Sequence, residues 1–309
     1  VSQGKDDVLV ILGPTATGKT AVALEIAGRV RGEIISADSR AFFQELDLVT
    51  DKPNPEVRSK IPHHLIDWVS LDGNYDAMTF RQDVVRLLPE IQARGNTAII
   101  AGGGTLYLGA ILRGIFEGPA KDEALRAQLE DVPMESLVAR LERVDPTAAR
   151  RIHPNDRLRT VRALEVFELT GKRISTLQAE AKPLDICCTA IGLERERTEH
   201  RAAIRARLWE MLAHGLRDEL ARLQELGLQP EMQAYRTIGV PEGFALLRNE
   251  LSEDEYVDIV SAQTWQLVRR QMAWFRRDDQ VTWLDVTGKT AAELADAVLA
   301  LWEPQGADA

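Results

Sequence analysis

The sequence predicts an α/β fold, a mostly parallel sheet with helices on both faces, plus an all-helical insertion domain. Three observations carry that expectation. Short apolar runs recur between helical stretches, the alternation that a covered parallel sheet requires. The first run leads straight into a glycine-rich loop and then into a string of helix formers. Residues 119–183 keep helical periodicity with no strand; Pro119 and Pro183 flank them, and Asp145-Pro146 and His153-Pro154 break them internally.

Taken in order, strands are expected at 8–12, 32–37, 64–69, 97–101, 186–193 and 281–284. Helices are expected over 79–93, 106–113, most of 122–178, 199–226 and 252–276. The division that follows is a core of 1–118 with 184–309, and a helical insertion of 119–183. Between the first strand and its helix, Gly13-Pro14-Thr15-Ala16-Thr17-Gly18-Lys19-Thr20 fits G-x-x-x-x-G-K-[ST], the phosphate-binding loop. Glycines let the backbone N–H groups converge on an anion, Lys19 adds a full charge, and the Thr20 hydroxyl can ligate Mg²⁺. The expected sheet is therefore P-loop NTPase-like. The loop says that a phosphate is held, not whose it is.

At 309 residues the chain can bury one large core, or one core and a satellite. No apolar run approaches a membrane span, and no secretory pattern appears. Residues 1–7 (VSQGKDD) are polar and lack an initiating Met, the pattern of a trimmed or engineered end. Cys187 and Cys188 are adjacent, poor partners for each other, and are read as part of a buried strand; a reducing cytoplasm is expected. The net charge of −10 argues against a general nucleic-acid coat. Even so, arginines crowd 140–173, 195–207 and 269–277. Such runs make either solvated helix faces or a localised polyanion site.

Ligands in open parallel sheets sit beyond the carboxyl ends of the strands. The second strand ends in Ser36-Ala37-Asp38-Ser39-Arg40. A carboxylate at Asp38 can hold Mg²⁺, take a proton from a nucleophile, or simply cap a helix. The fourth ends in Gly102-Gly103-Gly104-Thr105, a second turn where an anion can approach backbone and hydroxyl; Thr105 also suits a helix cap. Three readings fit these residues: a small-molecule kinase using ATP with the insertion as lid, a transferase from which pyrophosphate departs, or a nucleotide-switched binding protein. The last lacks a base-recognition signature and ranks lowest.

Longer stretches separate them. GPTATGKT, Ala37-Asp38-Ser39, DLVTDKP from Asp47, PHHLID from Pro62, YDAMTFRQD from Tyr75, GGGTLY, IHPNDRLRTVRALEVFELTGK from Ile152 and RQMAWFR from Arg270 occur in sequence. In this the chain, from about Val8 to Asp285, resembles the bacterial tRNA dimethylallyltransferase (tRNA isopentenyltransferase) family. The resemblance implies transfer of a dimethylallyl group from dimethylallyl diphosphate to an adenosine beside the anticodon of tRNA, with Mg²⁺, by a cytoplasmic monomer. It implies that Gly13, Pro14, Thr15, Ala16, Thr17, Gly18, Lys19 and Thr20 hold the donor's diphosphate, and that Asp38, Lys19 and Thr105 are catalytic. Thr20 and Asp38 would hold the metal. By the same resemblance tRNA meets Asp38, Ser39, Arg40, Ala41, Gly104, Arg126, Leu158, Arg159, Thr160, Val161, Arg162 and Arg236. Three positions depart from the family pattern. Gly104 stands where the family's turn has Thr, moving the hydroxyl to Thr105; Gly239-Val240-Pro241 replaces a Gly-Tyr-basic turn; and Trp265, expected in the core, replaces an Arg.

Overall fold

Val8–Leu12 (β1) lies inside a six-stranded sheet, fully buried along its length. The computed structural model describes residues 8–302; the polar stretch 1–7 and residues 303–309 lie outside the described part. The other strands are Gly32–Ser36 (β2), His63–His64 (β3), Thr97–Gly102 (β4), Cys188–Glu194 (β5) and Thr282–Asp285 (β6). Their order is β3-β2-β4-β1-β5-β6, and every pairing is parallel. This is the α/β sheet that the alternation of strands and helices predicts.

Lys19–Val30 (α1) carries the chain from β1 across to β2, Pro55–Lys60 (α2) precedes β3, and Ala77–Ala93 (α3) returns the chain to β4. Right-handed crossovers in opposite directions place α1 and α3 on opposite faces. The alternation of side chains along β1 follows suit. Leu9 and Ile11 join Val22 and Ile26 of α1 and Leu294 and Val298 of Ala291–Leu301 (α14) in one cluster closed by Trp302. Val10 and Leu12 alternate to the other face, and Phe80, Val84, Leu87 and Ile91 are the buried stripe of α3. Asp76 starts α3 by accepting the N–H groups of Met78 and Thr79.

The chain divides into two compact units, one running to Leu108 and resuming at Asp185, the other Gly109–Leu184. The boundary falls inside Thr105–Leu112 (α4). After the second unit, Arg197–Ala213 (α10), Leu216–Glu225 (α11), Val240–Leu247 (α12) and Glu253–Phe275 (α13) gather around Leu208, Leu220, Phe244 and Val260, with Phe43 and Leu46.

Several expected boundaries shift for local reasons. The strand read at 64–69 stops at His64, because Leu65 (φ 61°) and Asp67 (φ 53°) adopt the left-handed region; only a bridge from Val69 to Phe43 remains. The helix read at 199–226 is two helices, broken where Gly215 takes φ 99°. Cys187 is exposed and Cys188 half-exposed at the start of β5, so the pair is not buried as expected. Helices α12 and α14 have no counterpart in the sequence reading.

The second unit is all helical: Glu123–Glu130 (α5), Met134–Val144 (α6), Pro146–Arg151 (α7), Arg157–Thr170 (α8) and Ile174–Glu180 (α9). Leu137, Leu141, Val161 and Leu164 centre its core. Its two ends meet where the Leu184 N–H donates to the Ile111 carbonyl at 2.8 Å. Glu165 is wholly buried here. Its oxygens accept from Arg126 Nε (2.7 Å) and Nη2 (2.9 Å), Arg162 Nη1 (2.6 Å) and the Asp122 N–H (2.9 Å). Burial alone would raise this carboxyl, but the two guanidiniums and the N–H prevail and hold it at about 2. The stabilisation is full above the ordinary value of 4.5 and is lost as pH falls toward about 2. Glu165→Ala, which leaves two arginines facing an emptied centre, is expected to destabilise this unit by about 3–5 kcal/mol in urea unfolding. The variant should also lose the wild type's acid transition between those two pH values.

Candidate active site

Beyond β1 the chain must turn sharply, and Gly13 makes that possible: a Cβ there would stand 2.4 Å from the Leu193 carbonyl of β5. Ala16 completes the curl at φ 61°, a left-handed conformation that costs a non-glycine residue roughly 1–3 kcal/mol. Gly18 (φ 79°) caps α1, so the loop hands its free N–H groups to a helix start. Thr17 is buried, and its hydroxyl donates to the Pro14 carbonyl at 2.9 Å.

Other elements hold this loop from outside. Gln271 of α13 accepts the Thr15 N–H on Oε1 (3.2 Å) and donates from Nε2 to the Gly103 carbonyl (2.7 Å), joining the two glycine turns. His200 of α10 donates from Nε2 to the Thr15 carbonyl at 2.7 Å. Burial lowers the His200 pKa, with nearby Arg195, Lys19 and Arg207 adding to the effect, so the neutral ring is the form that makes this bond. Arg207, two turns further along the same helix face, donates to Thr15 Oγ1 (3.0 Å) and to Asp51 Oδ2 (3.2 Å). Trp265, expected in the core, packs against it while half-buried. It meets His200 edge-on at 5.7 Å, and Arg201 lies over its ring at 5.3 Å.

Part of the loop and of its braces walls a cleft of about 620 Å³. Thr15, Ala16, Gly18, Lys19, Thr20, Asp38, Ala41, Gly102 and Gly103 all line it, as do Asp51, His63, Arg207 and Gln271. Lys19 Nζ donates to the Pro14 carbonyl at 2.6 Å. Burial lowers this lysine to about 8; Asp38 and Asp51 draw it up and Arg207 pushes it down. Asp38 Oδ1 accepts the Arg40 N–H at 2.8 Å, so the carboxylate both shapes its own turn and faces the phosphate loop. His63 Nε2 is buried and without a partner at the cleft wall.

Not every expected residue enters the cleft. Thr105 opens α4 and Gly104 precedes it; neither lines the wall. A Cβ on Gly104 would stand 2.5 Å from the Ala37 carbonyl, which also takes the Gly104 N–H at 2.9 Å. Arg40 Nη1 donates to the Gln233 carbonyl (2.8 Å), and Arg236, exposed, ends a short 3-10 turn close by. In the helical unit, Arg159 (75 % exposed) pairs with Asp156 of its own turn at 3.2 Å, and Leu158 is 73 % exposed. Arg126 and Arg162 instead face Glu165, and Thr160 and Val161 are buried. Sequence reasoning gave no individual role to Arg207, His200, Gln271, Asp51 or His63, although Arg207 lies in one of the arginine runs and Asp51, His63 and Gln271 lie in the stretches that carry the resemblance.

Among the described residues, no group of three or more His, Cys, Asp or Glu side chains could hold a metal ion. The cleft does offer a hydroxyl at Thr20 and a carboxylate at Asp38. That sparse set suits Mg²⁺, which is commonly bound by one or two carboxylates together with substrate phosphates and water.

A parallel sheet, a loop of the phosphate-binding pattern and a carboxylate lining the same cleft give the chain the architecture of the P-loop class. Comparison narrows this. The family model described as IPP transferase matches residues 41–278. The tRNA dimethylallyltransferase 2 of Geotalea uraniireducens is 39 % identical over 92 % of this chain and 93 % of its own. That of Thermotoga maritima is 39 % identical over 94 % and 95 %. The crystal structure of the tRNA isopentenylpyrophosphate transferase of Bacillus halodurans superposes with a TM-score of 0.70 at 31 % identity, covering 96 % of each chain. A eukaryotic dimethylallyltransferase acting on tRNA shares the fold with a TM-score of 0.82 at 23 % identity, covering 97 % of this chain and 81 % of its own. The chain belongs to the IPP transferase family.

Because Lys19 loses its charge near pH 8, binding of inorganic pyrophosphate measured by calorimetry is expected to weaken as pH rises through about 8. Lys19→Met should bind more weakly throughout and lack that step. A step retained in the variant assigns it to another group.

Proposed function

We propose that this chain transfers a dimethylallyl group from dimethylallyl diphosphate to the exocyclic amine of an adenosine beside the anticodon of tRNA, releasing pyrophosphate. The observation that carries this is one cleft holding both the phosphate loop, with Lys19 and Thr20, and the Asp38 carboxylate. The names of the relatives favour prenyl transfer over the ATP-dependent kinase that the loop alone would also fit.

The loop N–H groups at the start of α1 and the Lys19 ammonium take up the charge that grows on the diphosphate as the allylic C–O bond breaks. One donor so placed is typically worth about 2.7–4 kcal/mol. Asp38 accepts the proton that the amine gives up as its nitrogen bonds the allylic carbon. The cleft walls keep water from that cation-like carbon. Thr20 and Asp38 are the residues that would hold Mg²⁺, whose charge helps neutralise the departing diphosphate. Thr105 reaches the diphosphate only if the turn from Gly103 rearranges, so Thr105→Val at full rate removes it from the reaction.

The target base must leave its stack to enter the cleft. On this reading Ser39, Arg40, Ala41, Gly104 and Arg236 border its entry. In the helical unit Leu158 and Arg159 offer RNA exposed side chains; Arg126 and Arg162 contact it with whatever donors Glu165 leaves them. The protein works as a cytoplasmic monomer. No helix among the described residues is long and apolar enough to cross a membrane.

Offered anticodon stem-loop RNA and dimethylallyl diphosphate, the protein is expected to release pyrophosphate; offered ATP and small acceptors, it is expected to release no ADP. Asp38→Asn should bind the stem-loop normally and lose single-turnover transfer by about a hundredfold or more. Arg159→Ala should raise the KM for tRNA and flatten its salt dependence. A variant indistinguishable from wild type in both would remove the insertion from RNA binding.

A further inference from the structure

Asp51 and Lys52 reach the cleft on a short arm, residues 47–53, that belongs to neither strand nor helix. What holds that arm is a carboxylate on another element. Glu219, in the first turn of α11, accepts the backbone N–H of Asp47 (3.2 Å) and Leu48 (2.6 Å) on Oε2, and that of Val49 (3.0 Å) on Oε1. Three consecutive N–H groups converging in this way form an anion-binding concavity, and here the chain's own glutamate fills it.

We propose that Glu219 is a positioning residue for the transfer reaction: by clamping these three N–H groups it fixes the arm that sets Asp51 against Arg207 and the phosphate loop. The proposal rests on the prenyl-transfer reading for its kinetic consequences, not for the clamp itself.

The arm is stiff beyond the clamp. The Asp51 N–H donates to the Leu48 carbonyl (3.0 Å), the Lys52 N–H to the Asp47 carbonyl (3.0 Å), and Thr50 Oγ1 to the Leu46 carbonyl (2.5 Å). The buried Lys52 ammonium bonds the Phe43 carbonyl (2.7 Å), Asp47 (3.0 Å) and Asp67 (2.6 Å). At the tip Asp51 is driven to φ 59°, a conformation that a non-glycine residue keeps only where its surroundings impose it. Its carboxylate then meets Arg207, which in turn holds Thr15 of the loop. The same pair borders a second hollow of about 420 Å³ that shares Asp51, Lys52, Pro53, Arg207 and Glu210 with the cleft. Glu219 lines neither hollow, so any effect it has on turnover must travel through the arm. Burial raises the Glu219 carboxyl, with Asp47 adding to the effect and the three N–H groups opposing it.

The test is Glu219→Gln, whose amide NH₂ must face a backbone donor, with Glu219→Asp as the variant that keeps the charge. In Glu219→Gln the amides of Asp47, Leu48 and Val49 should exchange with deuterium about tenfold faster or more. Turnover should fall by up to about a hundredfold, the scale of a small misplacement near reacting groups, with the KM for stem-loop RNA unchanged. Glu219→Asp should recover part of both. In an Asp51→Asn background the turnover loss from Glu219→Gln should largely vanish, because the arm then has nothing to deliver. Additive losses, or full turnover despite loosened amides, would overturn the proposal. If Glu219→Gln does not fold, Glu219→Asp and Asp51→Asn alone decide it: a full-rate Asp51→Asn leaves the arm without a task. A wild-type protein that transfers no prenyl group defeats the activity reading instead, and amide exchange still judges the clamp.

Discussion

A loop of backbone N–H groups holds an anion well only when it is curled before the anion arrives, and in this chain the curl is enforced from outside. Thr15 is the point of enforcement. Its N–H, carbonyl and hydroxyl are each engaged by a different side chain, Gln271, His200 and Arg207, from two long helices near the other end of the chain. The loop can thus keep Ala16 in a strained conformation without ligand. The packing of α10 against α13 is in this sense part of the binding site. Preorganised donors of this kind do not have to reorient as charge develops, which is where most electrostatic catalysis originates.

Carboxylates that accept from several donors at once recur as the organisers of the fold. Glu33, near the start of β2, accepts from Arg94 Nε (2.7 Å), Arg94 Nη2 (2.7 Å), Asn96 (2.7 Å) and His64 (2.6 Å). The Arg94 bonds, joined by those from Asn96 and His64, outweigh its burial and hold it at about 2. Glu165 does the same for the helical unit and Glu219 for the arm beside the cleft. In each case one anion ties several chain segments whose own backbone pairing is short or absent. Removing such a centre leaves several donors unpaired at once, which is more damaging than the intact cluster is stabilising.

What could be read from the sequence was what local chemistry fixes. The phosphate loop, the Asp38 turn and the glycine turn after β4 each announce themselves within a few residues, and the parallel sheet follows from the spacing of apolar runs. The braces of the loop lay out of reach because their partners sit 256, 185 and 192 residues away. The run at 64–69 looked like a strand by composition, yet two left-handed residues end it, and nothing in Leu65 or Asp67 signals that choice. The arginines at 126 and 162 looked like RNA contacts by resemblance; a single glutamate 39 and 3 residues from them takes much of their capacity. Charge runs on helices reveal how many cations there are, not which way they face.

The Gly104 turn sets a boundary on how this site can be altered. A methyl-sized group there would collide with the carbonyl of Ala37, and Ala37 is the residue that leads into Asp38. Placing a side chain with a hydroxyl at this position would therefore displace the turn that carries the Asp38 carboxylate. A larger residue at position 104 requires the two turns to be rebuilt together, since the Gly104 N–H is bonded to the Ala37 carbonyl.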